Sequence, residues 1–247
     1  MTAISIKRLG SILWLLAFSM SARSIPAAEI LRITEVMSSS GTNGTADWFE
    51  VTNYGDTSIN ISGWRMDDNS FASGNSVALL GVDNIAAGAT VVFLETTTPG
   101  TDIPAFRNFW GGIDTITIGS CSGSGVSFSS NGDGVVLFDS VGTERTPRTN
   151  FLTATTGSTF FRGYDAAGNF DTYGSAANGV ISTLGTIPGS MTNQLTFTST
   201  NSLGNIGSPG TAIVAVPEPS TYILGVLAVT VLAYVGRNRR KSVLAKI

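Results

Sequence analysis

The strongest constraint on this chain is that its apolar residues come in strand-length runs. Ile30 to Val36, Trp48 to Tyr54, Ser58 to Met66, Val77 to Leu80, Thr90 to Glu95, Asp114 to Ile118, Gly134 to Asp139, Ser158 to Tyr164 and Leu195 to Thr198 are short segments rich in Val, Ile, Thr and aromatics. Clusters such as Thr42-Asn43-Gly44, Tyr54-Gly55-Asp56 and Asn131-Gly132-Asp133-Gly134 separate them, and such residues favour turns. In the second run Phe49 and Val51 fall on one face, and Trp48, Glu50 and Thr52 on the other, which predicts a half-buried strand. No 3.6-residue stripe is read before Tyr222. The pattern predicts an all-β chain folded as an antiparallel sandwich.

Both ends of the chain break that pattern. Lys7 and Arg8 precede an apolar stretch from Leu9 to Phe18, and small residues follow at Ala22, Ala27 and Ala28. This reads as a secretory signal peptide over residues 1–28, with cleavage after Ala28 or after Ala22. At the other end Val216-Pro217-Glu218-Pro219-Ser220-Thr221 stands before an apolar run over 222–236, and Arg237, Arg239, Arg240 and Lys241 follow. Pro217 and Pro219 hold the backbone extended around Glu218. The 15-residue run spans about 22 Å as a helix at ~1.5 Å per residue, short of the ~30 Å hydrocarbon core. Ser220 and Thr221 lengthen it, and the arginines can snorkel to the headgroups. The basic cluster is a membrane stop and places residues 237–247 in the cytoplasm and everything before Pro217 outside. The expected layout is a domain over 29–212, a linker with the proline motif over 213–221, a transmembrane helix over 222–236 and a basic tail.

Charge and residue usage narrow the chemistry. The whole chain carries a formal charge of −3. Residues 29–216 hold sixteen acids against six arginines and no lysine, a net charge of −10. Nucleic acid is excluded as a partner, since its phosphates are met by clustered cations. With no histidine, a Ser-His-Asp or Cys-His nucleophile, a histidine base and a His-ligated zinc site are excluded too. Cys121 is the single cysteine, so no intramolecular disulfide forms. It sits in Gly119-Ser120-Cys121-Ser122-Gly123-Ser124-Gly125, read as a flexible small-residue stretch without a base.

The C-terminal layout resembles the PEP-CTERM sorting signal of Gram-negative bacteria. That resemblance implies recognition of Pro217, Glu218 and Pro219 by an exosortase-type membrane protease, cleavage near that site, and release to the cell surface or an exopolysaccharide matrix. The protein is then a substrate, and the nucleophile belongs to the sorting enzyme. A second resemblance is carried by Ile33-Thr34-Glu35-Val36, Asp47-Trp48-Phe49-Glu50-Val51-Thr52-Asn53 and Ile61-Ser62-Gly63-Trp64-Arg65-Met66-Asp67-Asp68. Ile85 to Phe93, Ser130 to Gly142 and the closing Gly207-Ser208-Pro209-Gly210 extend it. These segments are similar to lamin-tail domains, which implies an immunoglobulin-like antiparallel β-sandwich over about 29–212.

Within that frame Ser62-Gly63-Trp64 reads as a turn that drops an indole between the sheets, where an aromatic can bury up to ~250 Å². Trp48 and Trp110 are open to two readings: packing under long connections, or ligand-facing aromatics that stack on a sugar ring. Residues 99–127, with Phe106, Phe109 and Trp110, are longer than the usual connection, and residues 146–206 are long and poor in charge. Binding specificity is expected in these insertions. Asp67-Asp68-Asn69 with Glu95 or Asp102 are candidates for a calcium site or for a hydrolase's carboxylate pair. No twelve-residue calcium loop is present, and no cofactor is expected. The reading is a non-enzymatic exported protein, with a carbohydrate-binding module and a carboxylate-dependent hydrolase as alternatives.

Overall fold

The protein, described from a computed structural model, is defined over residues 30–41, 44–111, 113–122, 126–164, 168–177, 180–181, 197–198 and 205–210. The signal peptide expected over 1–28, the proline motif, the apolar run over 222–236 and the basic residues at 237, 239, 240 and 241 lie outside them. Among the described residues no helix is long and apolar enough to cross a membrane.

Fifteen strands and one helix make up this part. In chain order they are β1 (Leu31–Met37), β2 (Trp48–Asn53), β3 (Ile59–Asn60), β4 (Arg65–Asp67), β5 (Val77–Leu80), β6 (Asn84–Ile85) and β7 (Thr90–Glu95). The helix α1 (Pro99–Trp110) leads to β8 (Thr117–Cys121), β9 (Asp133–Phe138), β10 (Thr149–Phe151), β11 (Phe160–Tyr164) and β12 (Phe170–Ala177). Three two-residue strands close the series: β13 (Val180–Ile181), β14 (Phe197–Thr198) and β15 (Ile206–Gly207).

Eleven of the strands form one sheet in the order β10-β9-β4-β5-β8-β7-β2-β1-β11-β12-β13. It curls into a sandwich-like form. Phe151 on β10 meets Phe160 on β11 with ring centroids 5.4 Å apart, and Arg162 on β11 donates to the Asn150 carbonyl at 2.8 Å. Side chains from both halves fill the interior, including Ile33, Phe49, Val51, Met66, Phe93, Val135 and Leu137. Trp64 joins them, entering from a turn in which Gly63 takes a φ of 75° that a side chain would resist.

The sheet is not wholly antiparallel. β7 and β8 pair in parallel, with Val91 opposite Thr117 and Glu95 opposite Cys121. Parallel neighbours need a crossover, and α1 supplies it as a β-α-β unit. This helix corrects the reading of the sequence, which finds no helical stripe before Tyr222. Ile103, Phe106 and Trp110 recur at helical spacing, but Gly100 and Pro104 hide the pattern, since both disfavour a helix interior. Pro99 occupies the first turn, where its missing N–H costs nothing. Asp102 accepts from the Thr96 hydroxyl and from Thr98 Oγ1 at 2.9 Å, which places an acid at the positive end of the helix. Gly111 ends it, donating to the Arg107 carbonyl at 2.9 Å.

The helix changes the burial of β2. The sequence predicts one wet face, but every residue of Trp48–Asn53 is buried. Phe49 and Val51 point into the sandwich interior. Trp48 belongs to a second core with Met37, Val92, Leu94, Phe106, Phe109, Trp110, Ile113 and Ile118, between the sheet and α1. A crossover helix on the outer face thus converts an alternating strand into one buried on both sides.

β8 is also displaced from expectation, running to Cys121 rather than ending at Ile118. Gly119, Ser120 and Cys121, read as part of a flexible stretch, are strand residues here, and the Phe93 ring lies over Gly119. A Cβ on Gly119 would stand 2.6 Å from the Leu80 carbonyl oxygen and 2.7 Å from Cε1 of Phe93. Burial, and secondly Glu95, pushes the Cys121 thiol up to about 12, so it stays protonated at neutral pH.

Candidate functional site

The most unusual chemistry in the described residues is a pair of carboxylates sealed on the outer face of β1 and β2. Glu35 and Glu50 are opposite one another in the β1–β2 ladder, and the register shifts between Ile33 and Glu35. That bulge sets Thr34 and Glu35 against the single residue Glu50. Both glutamates are buried, at 2% and 0% exposure. Thr34 Oγ1 donates to Glu50 Oε1 at 2.5 Å and lies 3.0 Å from Thr52 Oγ1. Thr52 in turn lies 3.0 Å from Thr90 Oγ1 on β7, so a row of hydroxyls runs across three strands.

The remaining partners come from the far end of the domain. Glu35 Oε1 accepts from the Thr159 hydroxyl at 2.5 Å and from the Ser208 N–H at 2.8 Å, and Glu35 Oε2 accepts from Ser208 Oγ at 2.8 Å. Glu50 Oε2 accepts from the Gly210 N–H at 2.6 Å. Residues 205–210 therefore form a strap over the pair. The strap is held along its length: Asn205 Oδ1 accepts from the Gly41 N–H at 2.8 Å, and Ile206 donates to the Gly157 carbonyl at 2.7 Å while accepting from Thr159 at 3.0 Å. Gly207 is required for the close approach, because a Cβ there would lie 2.8 Å from Thr159 Cγ2 and 3.0 Å from both Glu35 Oε1 and Trp110.

Electrostatics follow from that enclosure. Burial raises the pKa of Glu35 well above the usual glutamate range, against the lowering effect of Thr159 and Ser208. Burial raises Glu50 as well, and the Glu35 charge adds to it. No cation is among the groups that act on either carboxylate. A second, looser pair lies at the other end of β2. Asp47 is raised to about 7 by burial and then by Glu95, and Glu95 is itself raised by burial while accepting from the Phe128 N–H at 3.0 Å.

Of the acids named from sequence, Asp68 lies near enough to Glu95 for its charge to add, after burial and Asp133, to the upward shift of the Glu95 carboxyl; Asp67 and Asp102 are each engaged by local donors. Asp67 is buried at the end of β4, where its Oδ2 accepts from Ser70 Oγ at 2.6 Å and from the Ala72 N–H at 2.7 Å. Asp68 Oδ1 caps the turn by accepting from the Ser70 N–H at 3.1 Å. Glu95 and Asp102 are held by the bonds already given. Among the described residues no group of three or more carboxylate, thiolate or imidazole side chains stands ready for a metal ion. Trp48 and Trp110 do not face a ligand, which corrects the sugar-stacking reading: they are 0% and 1% exposed and meet edge to face at 5.9 Å. The insertion that seemed a candidate binding loop is the helix that buries them.

About half of the chain, residues 25–151, matches the family model for the Lamin Tail Domain. The chain belongs to the lamin tail domain family. That match covers β1 to β10, while β11 to β13 lie beyond it yet complete the same curled sheet, and β15, paired with β14 in a separate two-stranded sheet, belongs to the strap over its outer face. Residues 215–241 match the PEP-CTERM protein-sorting motif, which marks the lamin tail protein for export and for exosortase processing at the membrane of a Gram-negative cell. No curated protein matches the chain.

Sequence reasoning found the segments that contain Glu35, Glu50 and Ser208 but not their meeting. Glu50 sits at a position that reads as the outer side of an alternating strand, whereas Glu35 shares the parity of Leu31 and Ile33 and is turned outward by the bulge at Thr34. The available signal was the absence of lysine from the domain together with threonines at 34, 52 and 90, which offer acceptor carboxylates uncharged donors.

Proposed function

We propose that this lamin tail protein is a non-enzymatic surface or matrix component, cut at Pro217-Glu218-Pro219 by an exosortase-type membrane protease and then held in an exopolysaccharide matrix. The observation that carries the reading is the position of the sorting motif. The described residues end at Gly210, and after six intervening residues Pro217 opens the proline motif, inside the segment matched over 215–241. The apolar run over 222–236 serves as a membrane anchor before processing, with Arg237, Arg239, Arg240 and Lys241 as its cytoplasmic stop.

A non-enzymatic role is supported by the state of the acids. The two that stand opposite one another are buried under backbone, and those named as hydrolase candidates accept hydrogen bonds from hydroxyl and backbone donors of the fold. The domain then contributes a stable, lysine-free acidic body outside the cell. Acidity of that kind favours solubility and tolerance of divalent cations.

The test is the C-terminal mass of the protein recovered separately from membranes and extracellular matrix of its native host. A matrix form ending near Pro217 to Pro219 is expected. An intact chain ending at Ile247 and confined to membranes would overturn the processing step.

A further inference from the structure

We propose that Glu35 and Glu50 form a proton-dependent latch on the strap 205–210, and that the latch sets how much free chain separates the β-domain from Pro217. The second half of this statement rests on the sorting reading above; the first does not.

The geometry carries the latch. Three of the donors that reach the two carboxylates, the Ser208 N–H, Ser208 Oγ and the Gly210 N–H, belong to the strap. When the strap is seated, both acids are out of water. When it lifts, they hydrate, and water favours their ionised forms. Strap donors favour the ionised forms too, but burial outweighs them, since both groups are displaced upward. Seating therefore takes up protons, and alkaline conditions lift the strap.

The neighbouring charges do not alter this sign. Arg32 on β1 donates to the Gly168 carbonyl at 2.6 Å and lies over Tyr164. Arg162 on β11 is turned to Asn150, and Arg107 on α1 donates to the Ile113 and Ile116 carbonyls. Asp102 on α1 and Glu95 on β7 are held by Thr96, Thr98 and the Phe128 N–H, and Asp47, before β2, interacts with Glu95. The other polar groups that meet the pair, Thr34 and Thr159, are uncharged hydroxyls.

With the strap seated, only residues 211–216 lie between Gly210 and Pro217, a reach of at most ~25 Å. A protease that takes the proline motif must then work against the folded domain. Lifting the strap adds at least six residues, about 20 Å more.

The latch is tested on the full chain in detergent by hydrogen exchange of the Ile206, Ser208 and Gly210 amides at pH 6 and pH 9, corrected for chemical exchange. Protection is expected to fall by roughly tenfold per pH unit wherever the pair releases one proton, and the slope should vanish in the Glu35→Gln, Glu50→Gln double variant. Flat protection in the wild type, or an unchanged slope in the variant, overturns the latch. Should the double variant not fold, Glu50→Gln alone must reduce the slope. Gly207→Ala wedges the strap by crowding Thr159, Trp110 and Glu35 Oε1 while keeping both carboxyl groups in the chain, so it should lower protection at both pH values while β7 stays protected; unchanged strap protection would overturn the seating geometry. C-terminal masses in the host separate the two readings. A wild type that is never processed removes the sorting reading and leaves the exchange result standing. If Gly207→Ala opens the strap but is processed at the wild-type rate, the tether is overturned.

Discussion

Glu35 and Glu50 stand opposite each other on adjacent strands, both buried, and no basic side chain of the described residues is among the groups that shift either carboxyl. Removing one partner of a like-charged pair relieves repulsion, whereas removing an acceptor leaves N–H and O–H donors unsatisfied. Glu50→Gln keeps an acceptor for Thr34 or Gly210 and removes the charge. It is expected to match or exceed wild-type stability at pH 8, while Glu50→Ala should lose about 2–3 kcal/mol from orphaned donors and lost packing. Urea unfolding at pH 8 decides between them; two variants with equal losses would contradict the electrostatic account.

The same shifts set a direction for stability against pH. A group whose folded pKa is raised contributes stability that is present below its unfolded pKa and is lost as pH rises through the folded value. Asp47 moves from 3.8 to about 7, and Glu35, Glu50 and Glu95 move upward as well. Melting temperature should therefore be higher at pH 5 than at pH 8, with Asp47→Asn reducing the difference. A protein that melts higher at pH 8 would refute this assignment.

Helix α1 is held by aromatic packing. Trp110 meets Trp48, Phe106 and Phe109 with ring centroids 5.9, 6.2 and 5.7 Å away. Trp110→Ala should cost about 3–5 kcal/mol in denaturant unfolding. A loss below about 1 kcal/mol would mean that the second core does not depend on this ring.

Glycines offer a matched comparison. A Cβ at Gly119 would collide with the Leu80 carbonyl and the Phe93 ring, whereas one at Gly74 meets nothing within 4 Å. Gly119→Ala is expected to lower stability by about 1–3 kcal/mol through overpacking. Gly74→Ala should be neutral or slightly stabilising, and equal effects at both sites would argue against the tight β5–β8 contact.

Calcium gives a further check. Asp67 Oδ2 and Asp68 Oδ1 already accept from Ser70 and Ala72, so local donors engage one oxygen of each acid at this turn. Adding millimolar calcium to chelator-treated protein should leave the melting temperature unchanged, and a rise of several degrees would show that a site forms.

Particular elements show how far sequence reaches into this fold. β5 and β7 have the bounds that their β-branched runs predict, because both feed the interior with regular alternation. β10 and β12 escaped notice, the first for being three residues long and the second for carrying Gly174, Ser175 and two alanines with little apolar contrast. The run from Ser58 to Met66 splits into β3 and β4 because Gly63 turns the chain between them. What periodicity does not convey is which outer face another element will cover. That depends on a crossover helix disguised by Pro104, and on a bulge at Thr34 that turns Glu35 to the same side as its neighbour.

The partners of Glu35 also impose a schedule on folding. Ser208 lies 173 positions downstream of Glu35, so a chain that crosses a membrane from its N-terminus delivers β1 long before the groups that cover it. Contacts of such sequence separation form late, after the intervening loop has been closed at an entropic cost. Until Gly210 has emerged the two glutamates remain hydrated and charged, and the part of the outer face that the strap covers stays open, beside the part already under α1. Completion of the domain and arrival of the processing motif are thus separated by only a few residues of translocation.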